Sequence, residues 1–142
     1  MQIQAEMEHK YSLNISEIDS FLPRFVHNLK GSEIIALVGD LGAGKTTFTQ
    51  KLGKLLGIPK TITSPTYILL QEFTGRLTNP KLKNREVRLY HLDLYRTTSF
   101  TEAENLGLTE FWGQPQTLTV IEWADKISAH LPKNTITINL KS

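Results

Sequence analysis

A glycine-rich segment ending in lysine and threonine is the part of the chain whose residue types and spacing most directly indicate chemistry. Residues 39 to 46 read Gly-Asp-Leu-Gly-Ala-Gly-Lys-Thr, which fits the P-loop pattern Gly-x-x-x-x-Gly-Lys-[Ser/Thr]. Glycines let the backbone pass close to phosphates, and the N-terminus of a following helix adds its positive dipole. We therefore predict a phosphate cradle built from the backbone amides of Asp40, Leu41, Gly42, Ala43 and Gly44.

The residues that end this segment carry the functional side chains of a P-loop. Lys45 would bridge the β- and γ-phosphates of ATP, and the Thr46 hydroxyl would ligate Mg²⁺. Thr47 is placed beside the nucleotide without a ligand of its own. A chance glycine-rich turn is the alternative, but an apolar run precedes the segment and an amphipathic run follows it, as a strand and a helix around a P-loop require. ATP and Mg²⁺ are thus the expected cofactors.

Two carboxylates at the ends of strand-like runs could complete a Mg-ATP site. Glu122 follows the apolar run 118–121, where a Walker B acid should emerge near the phosphates, although the usual Asp is missing there. Asp93 lies just past another such run, and in extended chain it shares one face with His91 and Tyr95. A half-exposed strand whose polar face meets only water is the alternative for each of these side chains.

Two hydroxyls and a tryptophan are further candidates. Ser64 and Thr66 belong to the stretch 61–66, which lies where many P-loop proteins have a nucleotide-sensing loop, so these hydroxyls could approach the γ-phosphate. A plain polar connection is the alternative. Trp123 follows Glu122 directly, and a tryptophan near a strand end more often packs in a core or an interface than against a cofactor.

Hydrophobic patterning supplies the elements that must position these residues. Strands are predicted for residues 9–15 (as an edge strand), 33–38, 67–73, 86–92, 118–121 and 135–140. The runs 67–73 and 86–92 should pair as a hairpin through the polar residues between them. Helices are predicted from an N-cap at Ser16 to a stop at Gly31 with Pro23 inside, from about 45 to 56, and as short turns within 101–112.

Composition sets the broad class. The 142 residues are 39% hydrophobic and 21% charged with a formal charge of +2, which is typical of a globular protein and permits an RNA or acidic protein partner without requiring one. No cysteine is present, which excludes disulfides and thiolate metal sites. The N-terminus lacks an apolar signal segment and no apolar run reaches about 20 residues. We expect one domain over residues 1–142, in the cytoplasm and without a membrane partner.

Four motifs in order resemble those of one family. They are Gly39-Asp-Leu-Gly-Ala-Gly-Lys-Thr-Thr47, Thr63-Ser-Pro-Thr66, His91-Leu-Asp-Leu-Tyr-Arg96 and Ile121-Glu-Trp-Ala-Asp-Lys126. Together they are similar to TsaE, the ATPase of bacterial tRNA threonylcarbamoyladenosine synthesis. The resemblance implies an α/β fold of the P-loop NTPase-like type, with a mixed sheet, a parallel core, an antiparallel hairpin portion and flanking helices. It also implies weak ATP hydrolysis by the isolated protein, which would be a monomer, and action with TsaB and TsaD, through which tRNA is reached indirectly.

The resemblance also implies roles for individual residues. Thr46 and Glu122 would be the Mg²⁺ ligands, and Asp93 would order the attacking water or hold the metal shell. Lys45, Asp93 and Glu122 would form the catalytic set. Glu17 and Asp125 would contact the nucleotide base. Coupling to partners would fall to Trp123, Ser64 and Thr66.

Three other functions are compatible with a P-loop. A Ras-like GTPase would need an Asn-Lys-x-Asp motif and an Asp-x-x-Gly switch, and neither appears. A small-molecule kinase would need an acceptor pocket and usually an arginine-bearing lid, for which the chain is short. A nucleotide-dependent regulatory module with negligible catalysis is the third alternative.

Overall fold

The computed structural model describes residues 4–7, 9–40, 42, 44–59, 62, 70–96 and 99–141, with the backbone alone for 4–7. The strands are β1 (Gln4–Met7), β2 (Lys10–Asn14), β3 (Ile34–Val38), β4 (Leu70–Arg76), β5 (Glu86–Asp93), β6 (Thr117–Glu122) and β7 (Ile136–Lys141). The α-helices are α1 (Ile18–His27), α2 (Lys45–Leu55) and α3 (Phe100–Asn105). Two 3₁₀ segments cover Ile15–Glu17 and Ala124–His130.

All seven of these strands form one mixed sheet in the order β1-β2-β7-β3-β6-β5-β4. The five inner strands pair in parallel, and an antiparallel pair closes each edge, β1 with β2 and β4 with β5. The predicted mixed α/β sheet with a parallel core and a hairpin is confirmed. The prediction of an edge strand at 9–15 is wrong, because β1 pairs with the outer side of β2. Its four residues, Gln-Ala-Glu-Met, are too few to show an alternation in sequence.

Both faces of the sheet are covered, which explains the continuous apolar runs of its central strands. All six residues of β6 are buried. Leu118 and Val120 face a core shared with α1 and α2, whereas Ile121 faces a second core shared with α3 and the segment Ala124–His130. Successive residues of one strand thus enter opposite cores, so a polar side chain is buried on whichever face it points to.

The helices begin and end close to the predicted positions, with one difference. Pro23 lies inside α1 as expected, but Ser16 is not its N-cap. The 3₁₀ turn Ile15–Glu17 comes first, and the Glu17 carboxylate accepts a hydrogen bond of 2.9 Å from the Asn14 amide. The acid three residues after Asn14 therefore satisfies an amide at the helix entrance, so the turn is capped from Asn14 and not from Ser16.

The inner strands end at one edge of the sheet, which is where ligands bind in open α/β sheets. β3 ends at Val38 directly before the glycine-rich loop, and β5 and β6 end at Asp93 and Glu122. These last two residues are register partners across the parallel pair. Within the described ranges, every helix is too short or too polar to span a bilayer.

Candidate nucleotide-binding site

The glycine-rich loop connects β3 to α2 through a backbone that only glycine adopts readily. Gly44 has φ +98°, in the left-handed region, and it directly precedes the first residue of α2. A Cβ at this position would also lie 2.9 Å from Cγ1 of Ile15. Gly44 is therefore required for its backbone conformation and for its close approach to the turn Ile15–Glu17.

The Lys45 side chain lies back across this loop. Its Nζ donates hydrogen bonds to the carbonyls of Gly39 at 2.6 Å and Asp40 at 2.9 Å, and it lies 3.9 Å from the centroid of the Trp123 ring. Lys45 is only 5% exposed. The ammonium group is thus held by two carbonyl oxygens and an aromatic face, which carry only partial negative charge. A phosphate group could take their place and would bring a full negative charge.

The electrostatics of Lys45 favour an anionic ligand. Burial lowers the pKa of its ammonium from the ordinary value of 10.5, and the nearby carboxylates of Glu122, Asp125, Asp40 and Asp93 oppose this shift without cancelling it. Desolvation is the larger effect, so the protein alone does not fully offset the cost of burying the charged ammonium. A bound phosphate would supply that compensation.

Thr46 and Glu122 meet at the start of α2. The Thr46 hydroxyl donates a 3.1 Å hydrogen bond to Oε1 of Glu122, a residue 76 positions away in sequence and 2% exposed. A hydroxyl oxygen and a carboxylate oxygen this close together are the kinds of ligand that Mg²⁺ uses beside a nucleotide. Phosphates and water complete its coordination shell. The pair therefore fits the metal predicted from the sequence.

Behind Glu122 lies a histidine, which the sequence left undecided. His91 is completely buried, and its Nε2 lies 2.5 Å from Oε2 of Glu122. Its Nδ1 lies 3.1 Å from Oε1 of Gln71 on β4. Gln71 was missed from the sequence, because only the pairing of β4 with β5 brings it opposite His91.

Asp93 is buried beside the same cluster. It is 6% exposed, and its Oδ1 accepts a 3.0 Å hydrogen bond from the Tyr95 amide just beyond the end of β5. The Tyr95 side chain is 52% exposed. The shared polar face predicted for residues 91, 93 and 95 is therefore wrong for Tyr95, which follows the strand, while the water-facing alternative is wrong for His91 and Asp93.

Trp123 forms the rim of the site. Its backbone has φ +61°, a left-handed conformation that is rare for a bulky residue and often found at functional positions. Its ring contacts that of Tyr95 with centroids 5.1 Å apart, and Lys126 Nζ donates to the Tyr95 carbonyl. The strained turn thus directs the indole over Lys45, while the ring also packs against the second core.

Of the remaining predicted residues, five lie in the part of the chain that the structure describes and four lie outside it. Asp40, Gly42 and Asp125 are exposed, the first two in the loop itself, and Thr47 lines a separate cleft with Lys51 and Lys54. Glu17 belongs to the turn that touches Gly44, although its carboxylate is bonded to the Asn14 amide. Four predicted positions lie outside the described residues: Leu41, Ala43, Ser64 and Thr66.

Sheet order, loop and side-chain cluster together define a mixed α/β protein of the P-loop NTPase-like type. The family model "Threonylcarbamoyl adenosine biosynthesis protein TsaE" matches residues 13–142. The chain belongs to the TsaE family, whose role lies in the biosynthesis of threonylcarbamoyladenosine in tRNA.

Individual relatives agree with this assignment. The TsaE protein of Treponema pallidum is 39% identical over 114 residues, which are 80% of this chain and 76% of that protein. The Bacillus subtilis TsaE is 37% identical over 79% of this chain, which spans 63% of that relative's length. Among solved structures, B. subtilis YdiB superposes with a TM-score of 0.60 at 30% identity, covering 89% of this chain and 71% of the other.

Proposed function

We propose that this protein binds Mg-ATP at residues 39–46, hydrolyses it slowly by itself, and acts with TsaB and TsaD in the threonylcarbamoyladenosine modification of tRNA. The observation that carries the proposal is the contact of Thr46 Oγ1 with Glu122 Oε1 at 3.1 Å, one residue after the buried Lys45. Hydroxyl, carboxylate and ammonium then stand at the N-terminus of α2, where a phosphate chain would be stabilised by the helix dipole.

Lys45 and the loop amides would bind the phosphates. In the structure, Lys45 donates to the carbonyls of Gly39 and Asp40. A triphosphate would draw the ammonium away from these neutral acceptors, because a full negative charge attracts the ammonium more strongly than a carbonyl dipole does. The loop backbone would then be free to turn its amides toward the ligand.

Thr46 and Glu122 would hold the metal. Mg²⁺, when bound, offsets the negative charge that develops on the phosphate oxygens. Among the residues the structure describes, no group of three or more His, Cys, Asp or Glu side chains could hold a metal ion. Thr46 and Glu122 offer two oxygen ligands, so nucleotide phosphates and water would complete the shell of Mg²⁺.

Asp93 would order the attacking water. It ends β5 directly opposite Glu122 and contributes to the field at Lys45, so it would lie close to bound phosphates but outside the glycine-rich loop. A buried carboxylate in this position can accept a hydrogen bond from water and orient its lone pair. Its removal should therefore affect turnover more than binding.

The exposed rim would communicate with partners. Trp123 touches Lys45 on one side and Tyr95 on the other, and Tyr95 is 52% exposed. A partner surface that covers this aromatic pair would sense whether Lys45 is engaged with phosphate. We extend the same role to Ser64 and Thr66.

The tRNA would be reached through TsaB–TsaD. We place the protein in the cytoplasm and propose that it is a monomer when isolated.

The decisive experiment measures phosphate release from ATP by the purified protein, alone and with TsaB–TsaD, together with tRNA modification. We expect slow hydrolysis by the protein alone, stimulation by the two partners, and repeated rounds of modification. Lys45→Ala and Thr46→Ala should abolish all three, whereas Lys54→Ala, an exposed change on the same helix, should have no effect.

The alternatives give different results. Binding without hydrolysis in every mixture would favour a nucleotide-dependent regulatory module. Phosphoryl transfer to an added small molecule, with hydrolysis unaffected by TsaB–TsaD, would favour a kinase. Unchanged ATP affinity in Lys45→Ala would contradict the site itself.

A further inference from the structure

A network of polar side chains, buried at its centre, runs across the sheet behind the candidate metal site. Gln71 on β4 contacts His91 on β5 at 3.1 Å, His91 contacts Glu122 on β6 at 2.5 Å, and Glu122 accepts from Thr46 on α2 at 3.1 Å. These four side chains therefore connect an edge strand of the sheet, β4, to the first turn of α2.

The two central side chains of this polar network are shielded from water. His91 is fully buried and Glu122 is 2% exposed, while both lie on strands whose neighbouring side chains belong to apolar cores. A buried imidazole is unfavourable unless its nitrogens are hydrogen-bonded, and an apolar residue would pack here more simply. The partners of both ring nitrogens therefore indicate a specific use for the histidine.

The two oxygens of Glu122 are divided between different partners. Oε2 faces His91 and Oε1 faces Thr46. A carboxylate oxygen only accepts hydrogen bonds, so Nε2 of His91 is the donor to Oε2. With one oxygen held in this way, the carboxylate plane is fixed and the other oxygen points to the start of α2.

We propose that His91 is a positioning residue that fixes Glu122 for Mg²⁺, with Gln71 orienting the imidazole in turn; the inference rests on the proposed Mg-ATP function. A free glutamate side chain samples many rotamers, and each must be restrained before one oxygen can serve a metal. Residues behind metal ligands typically change metal affinity by about 10–100-fold when removed.

Gln71 suits the orienting role because its amide accommodates either form of the imidazole. The side-chain amide can accept from a protonated Nδ1 through its oxygen or donate to an unprotonated one through its nitrogen. Gln71 and His91 are also register partners in the antiparallel pair, so the backbone fixes their separation. The orientation of the ring thus depends on the edge strand β4.

The test compares the affinity for a non-hydrolysable ATP analogue, measured by calorimetry in Mg²⁺ and in EDTA. Their ratio reports the contribution of the metal independently of turnover. His91→Leu removes the donor at similar volume, whereas His91→Gln places a side-chain amide close to the position of Nε2. Leu89→Val, a change in another buried residue of β5, is the control for loss of packing in the strand.

We expect His91→Leu to lower the Mg²⁺-dependent gain in affinity by about 10-fold while affinity in EDTA stays at the wild-type value. His91→Gln should recover most of the gain, and Leu89→Val should retain all of it. In a Glu122→Ala background, His91→Leu should produce no further loss, because a residue that acts through another is not additive with it.

Three outcomes would overturn the inference. A wild-type Mg²⁺ gain in a folded His91→Leu variant, equal losses in Leu89→Val, or additive losses in the double variant would each show that His91 serves only packing. If the wild-type protein binds no nucleotide in either buffer, the proposed function fails first and this inference fails with it. If His91→Leu does not fold, the comparison of His91→Gln with the wild type decides, since a gain below one-tenth of the wild-type value contradicts the role of the donor.

Discussion

At the scale of single residues, Lys45 shows most clearly how the site is prepared for an anion. Its ammonium is buried against Trp123 and two loop carbonyls, and burial lowers its pKa despite the carboxylates around it. The charged form is therefore less stable in this protein than in water. We therefore expect the group that would bind phosphate to reduce the stability of the nucleotide-free protein.

This conflict predicts opposite effects of Lys45→Met on stability and on binding. The variant should melt at a higher temperature than the nucleotide-free wild type at pH 7, because an apolar side chain carries no desolvation penalty. Its affinity for ATP should fall by at least about 100-fold, since charge-assisted hydrogen bonds contribute about 1.5–3 kcal/mol each. Calorimetric melting and nucleotide titration measure the two effects, with Lys54→Met as the exposed control.

The pH dependence of this difference has a definite sign. Because the pKa of Lys45 is lowered on folding, the unfolded chain binds more protons than the folded protein between the lowered value and 10.5. Stability of the wild type relative to Lys45→Met should therefore rise as the pH increases through that window. A difference that is constant from pH 7 to pH 10.5 would contradict the burial of the charge.

Asp93 is expected to separate binding from turnover. Asp93→Asn should leave ATP affinity within about threefold of the wild type, while hydrolysis falls by at least about 100-fold, as is common when a group acting on the attacking water is lost. Equilibrium binding and single-turnover hydrolysis distinguish the two effects. Hydrolysis at the wild-type rate would remove Asp93 from the mechanism.

At the scale of elements, the ends of strands and helices determine which residues meet. α3 is a short helix whose first turn is capped by Ser99, where Oγ accepts a 3.2 Å hydrogen bond from the Glu102 amide. The helix covers the second core through the buried Ala103. Its contribution is therefore to stability.

Ser99→Ala should test this separation of stability from function. Loss of an N-cap costs about 1 kcal/mol, which corresponds to a decrease in Tm of about 4 °C for a domain of this size. Nucleotide affinity at 25 °C should not change. Ser20→Ala, at an exposed position inside α1, should keep or raise the Tm because alanine favours helix interiors, and an equal loss there would contradict the capping role.

Elements also show what sequence could and could not predict. Lys45, Thr46 and Glu122 were predictable because a local motif and the end of an apolar run fix their places. The partnership of Gln71 with His91 was not, since it depends on the register of β4, which ends at Arg76 and not at 73 as predicted. The 3₁₀ segment after Trp123 was also missed, because a tryptophan in a left-handed conformation has no sequence signature.

At the scale of the whole molecule, the candidate site lies where the sheet and both of its covering layers meet. The loop after β3 leads into α2 on one face, while β6 leads through Trp123 into the segment that covers the other face. A ligand that contacts both the loop and the end of β6 would therefore connect the two layers. Its binding should stabilise the domain as a whole.

Mg-ATP should accordingly raise the melting temperature in one cooperative transition. A ligand at 100 times its Kd adds about 2.7 kcal/mol to stability, or roughly 9–11 °C here. Scanning calorimetry with and without Mg²⁺ measures the shift, and the Thr46→Ala variant should show little difference between the two. Two separate transitions, with only one responding, would show that the layers unfold independently.

The position of Trp123 over Lys45 has an optical consequence. The chain contains two tryptophans, and the other, Trp112, packs against the second core near Phe100. An indole 3.9 Å from an ammonium group emits in a field that changes when the ammonium turns toward phosphate. In a Trp112→Phe background, the intrinsic fluorescence of the protein should thus report nucleotide occupancy in real time, without any label.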